Sequence, residues 1–225
     1  MDSIDLLKIA SSVIALAIAI IGHEIMHGWV AYRYGDTTAK HAGRLSINPL
    51  IHIDPVGTIL VPLMMYFIPM LLGMGGGFLF GWAKPVPVNM RTVIANGGYS
   101  AAMQVSLAGI AYNFALASLF AVVLTGIHQP LQSDGLGYIF LYLVVMQLVF
   151  INVLLAVFNL LPIPQFDGAH FLMFLSLKYG LNNIAMWFQR LEPYGMFIVI
   201  IILITPLREY VLFMPVQYVL HLLLS

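Results

Sequence analysis

The sequence contains no cysteine. Disulfides, thiolate zinc sites, iron–sulfur clusters and cysteine nucleophiles are thereby excluded. Charge is scarce as well: 8% of the 225 residues are charged, and nine acidic residues balance nine basic ones. A soluble domain carries about 25% charged residues, so neither disorder nor a fully hydrated surface fits this chain. The formal net charge of zero leaves no basic field to hold nucleic acid. No internal repeat or low-complexity tract is present. What the chain does have is apolar surface, 61% of its residues being hydrophobic. That composition is an integral membrane protein's, and the length suits one domain spanning 1–225, with a core of about 5–180 and hydrophobic C-terminal segments over about 181–225.

A helix needs about 20 apolar residues to cross a bilayer core. Segments of that kind run from about Asp5 to Tyr34, Tyr99 to Ile127 and Gly137 to Leu161, the last two without a charged residue. Residues 57–80 are apolar but broken by Pro62, Pro69 and Gly75-Gly76-Gly77. After Gly168 come a short helix to about Tyr179 and apolar stretches 194–207 and 210–224, each short for a span. The N-terminus does not read as a cleavable signal, since its apolar run leads straight into polar residues. Arg33, Lys40 and Arg44 follow the first span, and Lys84 and Arg91 follow the broken stretch. Positive charge marks the cytoplasmic side, so 33–55 and 81–98 share it. Residues 57–80 then enter and return, or cross twice; a broken, re-entrant path is tolerated where protein or water covers the backbone. The expected fold is an all-α polytopic membrane protein: a helical bundle with a re-entrant or broken segment around 57–80 and a short extended or β segment around 81–90. The proline-rich run Ala83–Asn89 has edge-strand character and is a candidate substrate-facing strand or lid.

Within the first span lies His23-Glu24-Ile25-Met26-His27, an H-E-x-x-H pattern. Charge inside a membrane helix costs on the order of 2–3 kcal/mol per group and signals function by default. Residues four apart share a helix face, so His23 and His27 can aim at one ion. Glu24, offset by about 100°, can reach a water on that ion without ligating it. Two His ligands with a Glu base are the zincin arrangement. Catalytic zinc takes a third protein ligand. Asp167, in Asn159-Leu-Leu-Pro-Ile-Pro-Gln-Phe-Asp167-Gly168, is the best candidate; a helix N-cap is its other role. With a re-entrant 57–80, the first and fourth helices run parallel, and Asp167 comes to the depth of His23 and His27. His41, His52 and His170 are rival ligands. His52 reads as structural or substrate-proximal, and His170 as a support for a ligand. His41, His128 and His221 read as loop or interface residues.

Several motifs in order resemble the site-2 protease family of intramembrane zinc metalloproteases, in its short bacterial form without PDZ or CBS domains. They are Gly22-His-Glu-Ile-Met-His through Asp36, Gly43-Arg-Leu-Ser-Ile-Asn-Pro49, His52-Ile-Asp-Pro-Val-Gly-Thr58, Gly81-Trp-Ala-Lys-Pro-Val-Pro-Val-Asn89, and Phe158-Asn-Leu-Leu-Pro-Ile-Pro164 to Asp167-Gly168. Together they span about residues 10–175. The chain departs from the family pattern at Ala108-Gly-Ile-Ala-Tyr-Asn113, which lacks a proline, and at Asp167-Gly168-Ala169. The resemblance implies one zinc ion bound by His23, His27 and Asp167, Glu24 as base, and cleavage of membrane-spanning or membrane-tethered substrates. Asn113 and Asn159 are candidates for oxyanion or substrate-backbone contacts, with interhelical hydrogen bonding as their alternative role. The expected setting is a bacterial cytoplasmic membrane, with the site toward the cytoplasm; the partners are a substrate helix and the lipid bilayer, with no nucleic acid. A membrane metal-ion transporter and a catalytically inactive helix-binding scaffold are the alternatives. The clustering of ionisable groups at one depth argues against transport, and the full set of ligands and base argues against a scaffold.

Overall fold

The structure is a computed structural model and describes residues 3–60, 64, 83–131 and 133–225. It is helical throughout the bundle. Helix α1 is Ser3–Arg33, and a single short turn, α2, is Thr38–His41. Turns of 3-10 and π helix follow at Pro49–His52 and Pro55–Leu60. The long helices α3 (Met90–Gly126) and α4 (Leu136–Leu160) come next, then α5 (Asp167–Lys178), α6 (Asn182–Leu191), α7 (Gly195–Ile204) and α8 (Met214–Leu224). Among the described residues, four helical runs are long and apolar enough to cross a membrane: Ser3–Arg33, Met90–Gly126, Leu136–Leu160 and Asn182–Ile204. The chain is an all-α polytopic membrane protein.

The fourth of these runs differs from the sequence expectation. Arg190, Glu192 and Pro193 interrupt the apolar pattern, yet a 3-10 turn at Glu192–Tyr194 carries the helix through. The start of α3 differs too. The sequence places this span from about Tyr99, but Asn89 caps the chain earlier, its side chain accepting from the N–H groups of Arg91 and Thr92. The helix then tolerates one non-helical residue, Gly98 (φ 65°, ψ −169°), at a kink.

Small residues bring the bundle together. On α1, Ser11, Ala15, Ala19 and His23 recur every four residues and are all buried. Ala101, Val105, Gly109, Asn113, Ala117 and Ala121 do the same on α3. Small side chains let membrane helices approach closely. Ala15 and Ala19 pack with Leu148 and Ile151 of α4, and Ala31 packs with Val93, Ala101 and Val105 of α3. The two histidines therefore continue an inward-facing stripe and do not face lipid.

The expected re-entrant path over 57–80 lies largely outside the described residues. Its flanks are described, and they meet: the Lys84 N–H donates to the His52 carbonyl at 2.9 Å. The chain returns to the end of the bundle at which it left α1. Residues 83–89 are non-helical but pair into no ladder among the described residues. The expected β segment is here a single strap, held by hydrogen bonds to side chains.

Candidate active site

The last turns of α1, the middle of α3 and the first residue of α5 converge on one point. His23 Nε2 and His27 Nε2 lie 3.1 Å apart, and Asp167 Oδ2 lies 3.0 and 3.2 Å from them. The three atoms form a nearly equilateral triangle.

Their hydrogen-bond partners decide where the protons are. Asn113 Nδ2 donates to the Ala19 carbonyl (3.2 Å) and to Asn152 Oδ1 (2.8 Å), so its Oδ1 is the end facing His23. That oxygen lies 2.6 Å from His23 Nδ1, which must donate. His27 Nδ1 lies 2.7 Å from the Val105 carbonyl and must donate as well. With Nδ1 as its N–H, each neutral ring turns its Nε2 lone pair toward Asp167. Asp167 Oδ2, fully buried, receives no hydrogen bond. The three atoms converge on one point, where a cation would be held.

The spacing fits such a cation. For metal–ligand bonds of about 2.0–2.1 Å, the edge of a coordination tetrahedron is about 3.3–3.4 Å. The group His23, His27 and Asp167 is thus a set that could hold a metal ion, with one position left open.

The loop before Asp167 aims the carboxylate. Pro162 and Pro164 end α4, and Gln165 takes a positive φ of 92°, a left-handed conformation unusual for a side-chain-bearing residue. Asp167 then opens α5 without capping it; the cap position is Phe166. The carboxylate is therefore free of the N-cap role and turns to the histidines. Gly168 makes this possible, because a Cβ there would collide with the Leu160 carbonyl.

Glu24 stands one residue from His23 on the adjoining face. Its Oε2 accepts the Val86 N–H of the strap at 2.8 Å. This contact has no motif of its own and escapes sequence reading. The strap is pinned on both sides. Arg44, buried, donates to the carbonyls of Lys84 (2.6 Å) and Pro85 (3.4 Å). Asp36, also buried, accepts from the Asn89 N–H (2.6 Å) and from the N–H and hydroxyl of Thr38. Burial by itself would raise the Asp36 carboxyl, but the donors of Thr38 and Asn89 outweigh it and hold it below the ordinary carboxylate range.

The remaining candidates fall elsewhere. Asn113 is fully buried between α1, α3 and α4, with both polar atoms engaged. It meets His23 Nδ1 and joins the three helices, the interhelical hydrogen bonding given as its alternative role. His52 is also buried, its Nε2 directed at the Ser46 carbonyl (2.9 Å). Asn159 is half-buried and donates back to the Leu155 carbonyl (3.0 Å). His170 lines a narrow cleft with Pro164, Met173, Phe188 and Glu192. His41 and His221 are exposed, and His128 pairs with Asp134 at 3.1 Å.

Known proteins with similar sequences carry a consistent description. The chain is 34% identical over 204 residues to "Putative zinc metalloprotease YwhC" of Bacillus subtilis, covering 89% of this chain and 83% of that protein. It is 28% identical over 190 residues to the like-named Rip2 of Mycolicibacterium smegmatis, covering 82% of this chain and 62% of the relative. To Rip2 of Mycobacterium tuberculosis it is 30% identical over 146 residues, 65% of this chain and 49% of the relative. No family model and no solved structure matches. An H-E-x-x-H helix of membrane length, a third carboxylate brought to its histidines and a zinc-metalloprotease relative matched over most of both lengths lead to one assignment: this chain is an integral membrane protein of the site-2 protease family.

Proposed function

We propose that this chain is an intramembrane zinc endopeptidase that hydrolyses peptide bonds of membrane-spanning or membrane-tethered proteins. The observation that carries the proposal is the triangle of His23 Nε2, His27 Nε2 and Asp167 Oδ2, set beside Glu24. In this reading His23, His27 and Asp167 hold a single zinc ion. Bound there, zinc lowers the pKa of a water and polarises the scissile carbonyl.

The chain's own residues do the rest. Glu24 takes up the proton of the attacking water and passes it to the leaving amine. The Val86 N–H, on one of its two oxygens, fixes the carboxylate's orientation and leaves the other for that proton. Asn159, on the last turn of α4 and half-buried, is the asparagine still open to substrate contact. A substrate helix hides its carbonyls and must unwind to be cut. The strap 83–89, paired in no ladder among the described residues, offers backbone groups to the freed segment.

Arg33, Lys40, Arg44, Lys84 and Arg91 gather at the site's end of the bundle. By the positive-inside rule this end faces the cytoplasm, in a bacterial cytoplasmic membrane. The chain works as a single membrane domain, with the core over about 5–180 and the segments after 181 packed against it.

The test is cleavage of tagged single-span substrates in proteoliposomes, with bound zinc measured in parallel. Wild type is expected to cut and to hold one zinc, while Glu24→Gln keeps the zinc and does not cut. Wild type without zinc after metal-replete purification, or Glu24→Gln that still cuts, would overturn the proposal.

A further inference from the structure

A line of buried amides runs from α4 to the metal group. Asn152, fully buried on α4, donates from Nδ2 to the Leu148 carbonyl one turn back, at 2.7 Å. A carbonyl only accepts, so this bond fixes which end of the amide is which. Asn152 Oδ1 therefore faces α3, where it accepts from Asn113 Nδ2 at 2.8 Å. The second Asn113 proton goes to the Ala19 carbonyl of α1. Asn113 is left with only its oxygen for His23 Nδ1.

Consider the reversed amide. Asn113 would then present an NH2 group to His23 Nδ1 and an oxygen to both Asn152 Oδ1 and the Ala19 carbonyl. His23 would carry its proton on Nε2, aimed at Asp167 Oδ2 3.0 Å away. Histidine and aspartate would satisfy each other, and the site would be closed to a cation. The two acceptor–acceptor contacts oppose this reversal, and Asn152 supplies one of them.

We propose that Asn152 is a positioning residue. Acting through Asn113, it selects the Nδ1–H tautomer of His23 and so keeps the Nε2 lone pair open to the metal. The proposal rests on His23 being a metal ligand. Asn152 reaches His23 through Asn113, so its effect passes through one intervening side chain. Residues that support metal ligands from behind typically change metal affinity by about 10–100-fold.

The experiment measures zinc affinity of the full chain in detergent by competition with a chromophoric chelator, together with the absorption spectrum of the cobalt-substituted protein. Asn152→Leu, nearly isosteric, is expected to bind zinc about 10-fold more weakly and to alter the cobalt bands. Asn152→Asp, neutral at this buried position, keeps the acceptor for Asn113 and is expected to bind like wild type. In an Asn113→Asp background either carboxyl oxygen can accept from His23, so adding Asn152→Leu is expected to have little further effect. Wild-type affinity in Asn152→Leu would overturn the inference. So would equal losses in Asn152→Leu and Asn152→Asp, or a full additional loss on the Asn113→Asp background; each points to packing alone. Wild type that binds no zinc would instead overturn the metal reading itself, and the relay with it.

Discussion

Gly109 of α3 lies directly against the imidazole of His23: a methyl group at its Cα would sit 2.5 Å from His23 Nε2. That atom is one corner of the metal group. The glycine is thus the space in which the ring stands.

Gly109→Ala is accordingly expected to push His23 out of register with His27 and Asp167. Zinc affinity falls by at least about 10-fold, and proteolysis falls with it. Overpacking of this kind costs about 1–3 kcal/mol, so the helices stay assembled. Equilibrium zinc binding and a thermal melt check the two halves of the expectation. Unchanged zinc affinity would mean that the ring has room to move.

Zinc removal should be visible in stability. His23 Nε2, His27 Nε2 and Asp167 Oδ2 lie 3.0–3.2 Å from one another, and a cation bound there would make three bonds that exist only in the folded chain. Free zinc at 100 times its dissociation constant stabilises a protein that binds it only when folded by about 2.7 kcal/mol. The melting temperature in detergent should rise with zinc, fall with a chelator and respond little in Asp167→Ala.

Arg44 separates metal binding from chemistry. Its guanidinium holds the carbonyls of Lys84 and Pro85, and the next residue, Val86, holds Glu24. Arg44→Gln loses a charge-assisted hydrogen bond worth about 1.5–3 kcal/mol. The expected result is turnover reduced by between about 10- and 150-fold, the range to which that energy corresponds, with zinc content unchanged. Loss of zinc in Arg44→Gln would show that the strap supports the ligands and not the base.

Asp36 sets a pH limit on the strap's far end. Its carboxyl is held below the usual value of 3.8 in the folded chain. A depressed folded pKa contributes stability that is complete above the unfolded value and is lost as pH falls through the folded one. The Thr38 and Asn89 contacts should therefore hold at neutral pH and down to about pH 4, and weaken only below that. Thermal melts of wild type and Asp36→Asn from pH 7 to pH 3 test it. The gap between them should stay constant at the upper end and close at the lower.

The parts legible in the sequence are those written in local period and charge. His23 and His27 sit four apart in an apolar helix, so their common face follows from helix geometry. Asp167 entered through parity, because basic residues flank 57–80 on one side. In the structure the two flanks meet, at the bond between Lys84 and His52. What stayed hidden depends on partners far away in sequence. Val86 is one valine in a proline-rich run, and nothing near it announces Glu24. Asn113 stood out as an intramembrane polar residue with two possible roles; only the neighbouring Ala19 and Asn152 reveal which one it fills. The left-handed Gln165 carries no glycine to signal it. At 182–204, charged residues and a proline masked a continuous helical run whose burial comes from tertiary packing, not from an unbroken apolar pattern.

The hydrogen bond between His52 and Lys84 also bears on how such a chain can diversify. It ties a neck between the two ends of one intervening stretch, so the helices on either side keep their mutual orientation whatever lies between. Residues inserted between His52 and Lys84 would start and finish at neighbouring points, so this is a place where the chain can lengthen without rebuilding the metal group.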